Sequence, residues 1–380
     1  FKKKTQLISF ICVVIIFGVL VVNRNQAWTS EIALWSDSVI KNPNSPRVHN
    51  NLGKAYYEAG KLKIARSHLE KSVSSIPGYI KNQFNIKNPK SYLERKSISD
   101  KTFKERNILK NNNNSLKLDF AEPHYNLANI YLDLEQLESA ELEYRAALKL
   151  KPDYYSAEFG LGSVKNKKKE YNLAIDHFLN SIKLMKKTTG KSDYPLARLN
   201  LGEVYGKTQN YDKAILELNR ALKTDPSMYL AHYNLGTAYM LKGSYDNAET
   251  SFKACLKIKP NHEPALFNLG RVYQKKKDWI TSNEVFNQFL RIKGPNPNIY
   301  SEIAWNNLMV ENIDKAIDLY EKVLDYKQNH KDALINLAKI NFRLGKYKIS
   351  RFYIERALKQ SLPQRQSDDL NKLLKKIPKD

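Results

Sequence analysis

Small and hydrophobic residues recur along this chain with a period of 34 residues, and the pattern within each period predicts two helices. The regular copies begin at Pro195, Tyr229, Glu263, Pro297 and Lys331. Apolar residues at the fourth, seventh and eleventh places, as at Leu266, Leu269 and Tyr273, lie on one face of a first helix. A unit of this length buries its apolar face only by stacking on its neighbours. The pattern therefore predicts an all-α array with a binding surface rather than an active site.

Eight copies of the pattern are present, and we number the places of each copy from its first residue. The copies begin at Pro46, Ala121, Tyr155, Pro195, Tyr229, Glu263, Pro297 and Lys331. The eighth place holds glycine or alanine, as at Gly236, and a residue this small allows a neighbouring helix to approach closely. Alanine at the twentieth place, as at Ala248, does the same for the second helix. Proline near the thirty-second place, as at Pro260, cannot continue a helix and ends the unit.

These places resemble the signature of the tetratricopeptide repeat (TPR) family: an aromatic residue, Leu-Gly, Tyr, Ala, Phe and Pro at fixed offsets. The resemblance covers residues 46–78, as repeat 1, and residues 121–364, as repeats 2 to 8. It implies an all-α, right-handed solenoid of about eight helix-turn-helix repeats. The sequence departs from the signature at five positions: Lys165, Ser282, Asn307, Asn341 and Ser350. Looser packing is expected in the last two copies, where Asn307 and Asn341 replace tyrosine.

Two segments outside the regular repeats have their own predictions. Residues 79–120 form a basic, Asn-rich insertion between repeats 1 and 2, and they are predicted to be mostly disordered. Residues 365–380 are predicted to form a C-terminal capping helix, with Ser367 as its N-cap. The apolar face of that helix consists of Leu370, Leu373, Leu374 and Ile377.

Residues 1–25 are predicted to be a transmembrane helix with a basic flank. Leu7–Val22 is uncharged and almost wholly apolar, and residues 5–22 would form a helix about 27 Å long, close to the hydrocarbon thickness of a bilayer. Lysines precede this stretch, so the positive-inside rule predicts a membrane protein with its repeats on the extracytoplasmic side, in a periplasm or lumen. A cleaved signal peptide is the alternative. The exit at Asn23–Ala27 lacks a small-x-small site, which favours an uncleaved anchor.

Residues 26–45 are predicted to be a juxtamembrane half-repeat. Trp28, Ile32, Trp35 and Val39 share one helical stripe that can pack on repeat 1. Alternatively, Trp28 lies in the interfacial aromatic belt of a membrane. The chain starts with Phe1 rather than Met, so we expect it to be a fragment of a longer protein.

The run from Trp28 to Arg47 resembles the junction in transmembrane-and-TPR O-mannosyltransferases and their bacterial relatives. In that family a multi-span glycosyltransferase half precedes a repeat domain. The resemblance implies that this chain is the non-catalytic repeat half, with a glycosyltransferase half in the same polypeptide. The catalytic acidic residues of the family would lie in a part that is absent from this sequence.

The net charge of +24 does not by itself indicate a nucleic-acid partner, and none is expected. Basic runs such as Lys167–Lys169 and Lys275–Lys277 fall at the turns within repeats, where charge is usually solvated. Cys12 and Cys255 offer no disulfide framework. The sequence has no Gly-rich phosphate loop and no Cys or His pairs at metal spacing. We therefore predict no cofactor, no metal and no catalytic residue, and this chain alone is not expected to be an enzyme.

The best candidate site is the sixth place of the first helix, where asparagine recurs at Asn51, Asn126, Asn200, Asn234, Asn268 and Asn336. In the TPR family the first helices line a concave groove. An amide ladder there would donate to and accept from the backbone of an extended peptide. Tyr233, Phe267 and Arg271 complete the predicted groove. The alternative is that these asparagines only hold neighbouring repeats in register.

Overall fold

The structure, a computed structural model, describes residues 29–76, 114–191 and 193–378. Within these ranges the regular secondary structure consists of eighteen α-helices and no strand, which confirms the all-α prediction. The chain divides into two compact units, Phe1–Val204 and Tyr205–Asp380. Stacked helical hairpins within each unit form the solenoid that the 34-residue period predicts.

The first unit contains a single helix followed by helical hairpins. Its helices are α1 (Glu31–Lys41), α2 (Pro46–Glu58), α3 (Leu62–Ser74), α4 (Asn114–Asp133), α5 (Leu137–Leu150), α6 (Tyr155–Lys167), α7 (Tyr171–Thr189) and α8 (Pro195–Lys207), which continues across the unit boundary. Helix α1 packs against α2, and its N-cap Ser30 accepts a hydrogen bond from the Ala33 amide.

The second unit continues the same arrangement to the end of the chain. Its helices are α9 (Tyr211–Thr224), α10 (Tyr229–Lys242), α11 (Tyr245–Ile258), α12 (Glu263–Lys275), α13 (Trp279–Lys293), α14 (Pro297–Met309), α15 (Ile313–Tyr326), α16 (Lys331–Arg343), α17 (Tyr347–Leu358) and α18 (Gln364–Lys375). Each first helix packs against the second helix of its own repeat, and each second helix packs against the first helix of the next repeat.

The turn between the two helices has the same backbone conformation in every repeat. The residue at the fifteenth place has a positive φ, near 60° for residues such as Lys277 and somewhat larger for glycines such as Gly243. The amide at the sixteenth place donates to the carbonyl at the eleventh place, as from Ser244 to Tyr239 at 2.9 Å. This left-handed closure ends the first helix, and the second helix begins at the seventeenth place in all eight repeats.

The small residue at the eighth place is required by an aromatic ring in the second helix. A Cβ atom added to Gly236 would lie 2.8 Å from Cδ1 of Phe252, and one added to Gly270 would lie 2.5 Å from Cε1 of Phe286. The rings of Phe252 and Phe286 are fully buried. This geometry confirms the prediction that small residues at this place permit close approach of the two helices.

Polar residues that depart from the TPR signature are satisfied inside the core. Ser282 and Ser350 are buried, and each hydroxyl donates to the main-chain carbonyl at the eighth place, at 2.9 and 2.8 Å. Asn307 and Asn341 are also buried, and each Nδ2 donates to the carbonyl four residues earlier, at 2.8 and 2.9 Å. These bonds offset the cost of burying polar groups in place of alanine and tyrosine.

Two helix boundaries differ from the sequence-based expectation. Helix α4 begins at Asn114, so residues 114–120 belong to a helix and not to the insertion. Phe120 supports this extension because its side chain packs against Ile76, Ala121 and Leu150. Helix α18 begins at Gln364, and its N-cap position is Pro363, four residues before the predicted cap at Ser367. Its buried residue Leu370, together with Ile377 just beyond its C-terminal end, packs in the core of the last repeat.

Several predictions fall on residues that the structure does not describe. The predicted span at residues 5–22, the ring of Trp28 and residues 79–113 of the insertion are among them. Among the helices that the structure does describe, none has both the length and the apolar character needed to cross a bilayer.

Candidate functional site

The six sixth-place asparagines all lie half-buried on first helices. Asn51, Asn126 and Asn200 belong to the first unit, and Asn234, Asn268 and Asn336 belong to the second. Four of them donate Nδ2–H to a partner inside the protein: Asn126 to Asn50 (2.9 Å), Asn200 to the Leu196 carbonyl (2.9 Å), Asn268 to Tyr233 (3.4 Å) and Asn336 to Tyr320 (2.9 Å). An amide has two N–H donors and an acceptor oxygen, so one such bond leaves capacity for a ligand.

The predicted groove aromatics are also part of the packing between helices. The ring of Tyr233 lies 6.0 Å from that of Phe252, and the ring of Phe267 lies 6.1 Å from that of Phe286, with a tilt of 48° in both pairs. Tyr233 and Phe267 are half-buried. Each ring therefore joins the first helix to the second helix, and part of its surface remains accessible.

The two exceptions to asparagine at the sixth place have structural reasons. Gly160 lies against the buried ring of Tyr144, where an added Cβ atom would be 2.3 Å from ring carbons. No side chain fits there. Glu302 accepts a hydrogen bond of 2.9 Å from Nε2 of Gln274 on the neighbouring first helix. The sixth place is therefore in contact with adjacent helices even where asparagine is absent.

A cavity of about 470 Å³ opens between successive first helices of the second unit. Helices α12, α14 and α16 supply most of its wall, and α13, α15 and α18 contribute one residue each. Its lining residues are Arg271, Gln274, Lys275, Trp279, Ser301, Glu302, Trp305, Tyr320, Asp332, Ile335, Asn336, Lys339 and Gln366. The structure thus brings together Arg271 and Asn336 among the nine predicted groove residues.

A hydrogen-bonded network orders one wall of this cavity. Nε2 of Gln274 donates both to Glu302 and to Oδ1 of Asn306, at 2.9 and 2.8 Å. Asn306 is fully buried and in turn donates to Ser282 (2.8 Å) and Asn283 (2.9 Å). Since each side chain is fixed by at least one partner, this wall presents a defined polar surface.

The cations of the cavity are available for a ligand. Arg271, Lys275 and Lys339 are exposed, and within the described part of the chain none of them has a carboxylate within 4 Å. The guanidinium of Arg271 lies 6.0 Å from the ring centroid of Phe267. By contrast, the nearby Lys276 pairs with both Asp246 and Glu249 at 2.7 Å. An anionic ligand in the cavity would therefore meet these three exposed cations.

An ion-pair network that sequence reasoning missed joins repeats 2 and 3. Lys165, at a place where the TPR signature has an aromatic residue, is buried and pairs with Glu141 (3.0 Å) and Glu170 (2.7 Å). Glu141 also accepts from Lys168 and Arg145, at 3.0 Å each. Burial alone raises the pKa of Glu141, but these hydrogen bonds outweigh burial and lower it to about 2.

The same network recurs in the second unit at the same places of the repeat. Glu249 accepts from Lys253 (2.7 Å), Lys276 (2.7 Å) and the hydroxyl of Tyr273 (2.8 Å). Burial raises the pKa of Glu249, and the hydrogen bonds overcome this effect and lower it to about 2. The signal in the sequence was glutamate at the twenty-first place with lysine at the fourteenth place of the next repeat.

A buried His–Glu pair was also missed. Nδ1 of His124 lies 2.6 Å from Oε2 of Glu143, and both side chains are almost fully buried. The other ring nitrogen, Nε2, is buried without a hydrogen-bond partner. In His49 and His232, Nε2 bonds to the carbonyl of the residue six positions earlier. For His124 that position lies inside the extended helix α4, where main-chain carbonyls bond within the helix.

The comparisons with known proteins identify the class of this protein. Family models described as tetratricopeptide repeats match residues 50–75, 121–154, 153–227, 199–263 and 332–361, about half of the chain in total. The chain belongs to the tetratricopeptide repeat family, whose solenoids are typically non-catalytic binding scaffolds. In the described residues, no group of three or more His, Cys, Asp or Glu side chains could hold a metal ion.

Among curated proteins, the chain is similar to human "Protein O-mannosyl-transferase TMTC3", with 24% identity over 243 residues. The match covers 61% of this chain and 26% of that protein, so the chain spans about a quarter of the length of this relative. This partial match confirms the resemblance to TPR-containing O-mannosyltransferases that the sequence indicated.

Among solved structures, the C-terminal part of a TPR repeat-containing protein from Cytophaga hutchinsonii is similar in fold, with 15% identity and a TM-score of 0.56. The match covers 64% of this chain and 98% of that one. YrrB, described as a TPR protein with an unusual peptide-binding site, is 24% identical with a TM-score of 0.40 and covers 51% of this chain and 92% of its own.

Proposed function

We propose that this chain is a membrane-anchored TPR scaffold that binds extended polypeptide segments along the first helices, and that it is not catalytic in itself. The observation that carries the proposal is the cavity of the second unit. There, successive first helices place Arg271, Trp305 and Asn336 around one opening. Amide, cationic and aromatic groups in one groove suit a peptide whose backbone bonds to amides and whose side chains meet the rings and charges.

The membrane part of the proposal rests on the sequence. The apolar stretch Leu7–Val22 follows three lysines, a pattern typical of an anchor that leaves the following domain on the extracytoplasmic side. The repeats would then hold protein partners close to the membrane, in a periplasm or lumen.

A second candidate function is favoured by the similarity to TMTC3. Here the chain is the substrate-recruiting C-terminal part of a polytopic membrane glycosyltransferase of the O-mannosyltransferase type. The same groove would then bind the polypeptide that receives the sugar. The reading frame upstream of Phe1 discriminates the two: many apolar spans favour the transferase, and a nearby initiator Met favours a single-pass scaffold.

The groove is tested with the full chain in detergent micelles. Peptides are selected on it from a random unstructured library, and their affinity is measured by fluorescence polarisation. The triple variant Asn234→Ala, Asn268→Ala, Asn336→Ala should bind at least about tenfold more weakly, since each lost amide bond contributes about 0.5–1.5 kcal/mol. Asn287→Ala, at an exposed position of the second helix α13, is the matched control and should bind as the wild type does. Equal affinity of the triple variant and the wild type, at unchanged helicity, would show that the asparagines are only structural.

A further inference from the structure

One row of residues in the second unit combines an exposed tryptophan with a cation on each side. These are the ninth-place residues of four successive first helices: Thr237, Arg271, Trp305 and Lys339. The last three line the same cavity. The corresponding row of the first unit reads Lys54, Asn129, Ser163 and Glu203 and has no aromatic residue. The cation–tryptophan–cation row is therefore a property of the second unit alone.

Trp305 leaves part of its apolar surface exposed on α14. Its side chain is 39% exposed, and Met309, one turn further along α14, is 38% exposed. The two residues lie on one face of the helix because they are four positions apart. Neither of them fills the core of repeat 7. Exposed aromatic surface next to flexible methionine is typical of a site that takes a large apolar side chain.

The charges around Trp305 favour carboxylates in the ligand. Arg271, Lys275 and Lys339 have no carboxylate within 4 Å in the described ranges, while the cavity itself contains two acidic residues, Glu302 and Asp332. Glu302 is already bonded to Gln274. Asp332 lies in the first turn of α16, where the positive end of the helix dipole favours it. The balance of three cations against two carboxylates leaves the cavity mildly positive.

The distance between neighbouring first helices determines how many peptide residues separate the side chains that contact the row. Gln274 of α12 bonds directly to Glu302 of α14, so neighbouring first helices lie on the order of 10 Å apart. An extended peptide advances about 3.3 Å per residue. About three peptide residues therefore separate the side chain above Trp305 from those that face Arg271 and Lys339.

We propose that the second unit recognises an internal peptide segment with one large apolar or aromatic residue and a carboxylate about three residues away on each side. Trp305 and Met309 contact the apolar side chain, and Arg271 and Lys339 contact the two carboxylates. This inference rests on the proposed peptide-binding function and names the class of peptide. A nucleic acid with a base stacked on Trp305 is the competing occupant, and the oligonucleotide arm of the test distinguishes it.

The inference is tested with a designed probe on the full chain in detergent micelles. The probe is a fluorescein-labelled Gly/Ser peptide that contains the segment Asp-Ser-Ser-Phe-Ser-Ser-Asp. Three control peptides replace both Asp by Asn, replace Phe by Ala, or shorten each Ser pair to a single Ser. We expect the probe to bind at least about threefold more tightly than each control, as judged by fluorescence polarisation.

Substitutions in the protein test each proposed contact separately. Trp305→Ala should weaken probe binding about tenfold or more, as for a central aromatic contact, and Trp305→Phe should restore part of the loss. Arg271→Gln and Lys339→Gln should each weaken binding about two- to fivefold, and only for peptides that contain Asp. Lys315→Gln, at an exposed cation on the second helix α15, should have no effect.

Three results would overturn the inference. They are no binding of the probe, equal binding of the probe and the Asn peptide, or tighter binding of a labelled oligothymidylate than of the probe. If library-selected peptides bind in an asparagine-dependent way but Trp305→Ala and Trp305→Phe leave their affinity unchanged, the peptide class is wrong and the proposed function stands. If the asparagine variants also have no effect, the proposed function fails as well.

Discussion

Nδ2 of Asn336 donates a hydrogen bond of 2.9 Å to the hydroxyl of Tyr320, and this bond joins the last two repeats. Tyr320 is fully buried at the twenty-fourth place of repeat 7, and Asn336 occupies the sixth place of repeat 8. In repeats 2 and 3 the same two places hold Tyr144 and Gly160, and there the tyrosine ring occupies the space of the missing side chain. The sixth place therefore has a structural role at the junction of repeats, in addition to its proposed role in binding.

A substitution of Tyr320 distinguishes the structural role of the sixth place from its proposed role in peptide binding. Tyr320→Phe removes the partner of Asn336 but leaves the amide in the groove, so the free energy of unfolding should fall by about 1 kcal/mol. Peptide affinity should fall by less than in the triple asparagine variant, because the Asn336 amide stays in the groove although Tyr320 lines the cavity. Chemical denaturation and fluorescence polarisation on the same preparation measure both quantities. A large loss of affinity would mean that Tyr320 itself orients the binding amide.

The close approach at the eighth place predicts opposite effects for two Gly→Ala substitutions. Gly270→Ala should destabilise the second unit by about 1–3 kcal/mol, because its Cβ atom would overlap the ring of Phe286. Gly206 lies in helix α8 with no atom near its Cβ direction, so Gly206→Ala should be neutral or stabilising by up to about 1 kcal/mol. Thermal unfolding followed by circular dichroism compares the two, and equal midpoints would contradict the packing argument.

The buried His124–Glu143 pair should contribute more to stability than the more exposed His177–Glu158 pair. His124→Ala leaves the Glu143 carboxyl buried without its partner, which should cost about 3–5 kcal/mol. The His177–Glu158 bond has a similar length, 2.7 Å, but the side chain of His177 is 22% exposed. His177→Ala should therefore cost about 1 kcal/mol. Denaturant titration of both variants provides the comparison, and the larger loss in His177→Ala would refute it.

The lowered pKa of Glu141 predicts acid sensitivity of the first unit. The folded pKa of about 2 lies below the ordinary value of 4.5. The stabilisation is therefore present above pH 4.5 and is lost as the pH falls through about 2. Glu141→Gln should lower the free energy of unfolding by up to about 3 kcal/mol at pH 7, and the gap to wild type should close towards pH 2. A gap that does not change between pH 7 and pH 2 would show that the ion pairs do not stabilise this unit.

The repeating parts of the fold follow directly from the sequence, since each place of the repeat has a single packing role. Seven first helices begin at the first place, and every second helix begins at the seventeenth. The start of α4 did not follow, because it depends on the packing of Phe120 against residues of repeats 1 and 2. The start of α18 at Gln364 depends on Pro363 rather than on the capping preference of Ser367.

The candidate site was only partly predictable. Asparagine recurs at the sixth place of the first helices, so the sequence alone reveals it. Arg271 can also be found from the sequence, because it lies three positions after Asn268 on the same helix. The cavity, however, depends on Trp305, Lys339 and Gln366 from three different helices, and no single repeat contains this combination. The partners of Glu141 and Glu143 were missed for a related reason. Lys165, Lys168 and His124 lie outside the helix that carries the two glutamates, so the pairing shows only when places of neighbouring helices are compared.

The most direct test of the account is photo-crosslinking of a library-selected peptide that carries a benzophenone group, with the full chain in detergent micelles. Mass spectrometry of the crosslinked chain should place the contacts on the groove-facing residues of α12, α14 and α16, around Arg271, Trp305 and Asn336. Crosslinks confined to exposed residues of the second helices, such as Ile349 and Phe352 of α17, would contradict a peptide-binding groove on the first helices.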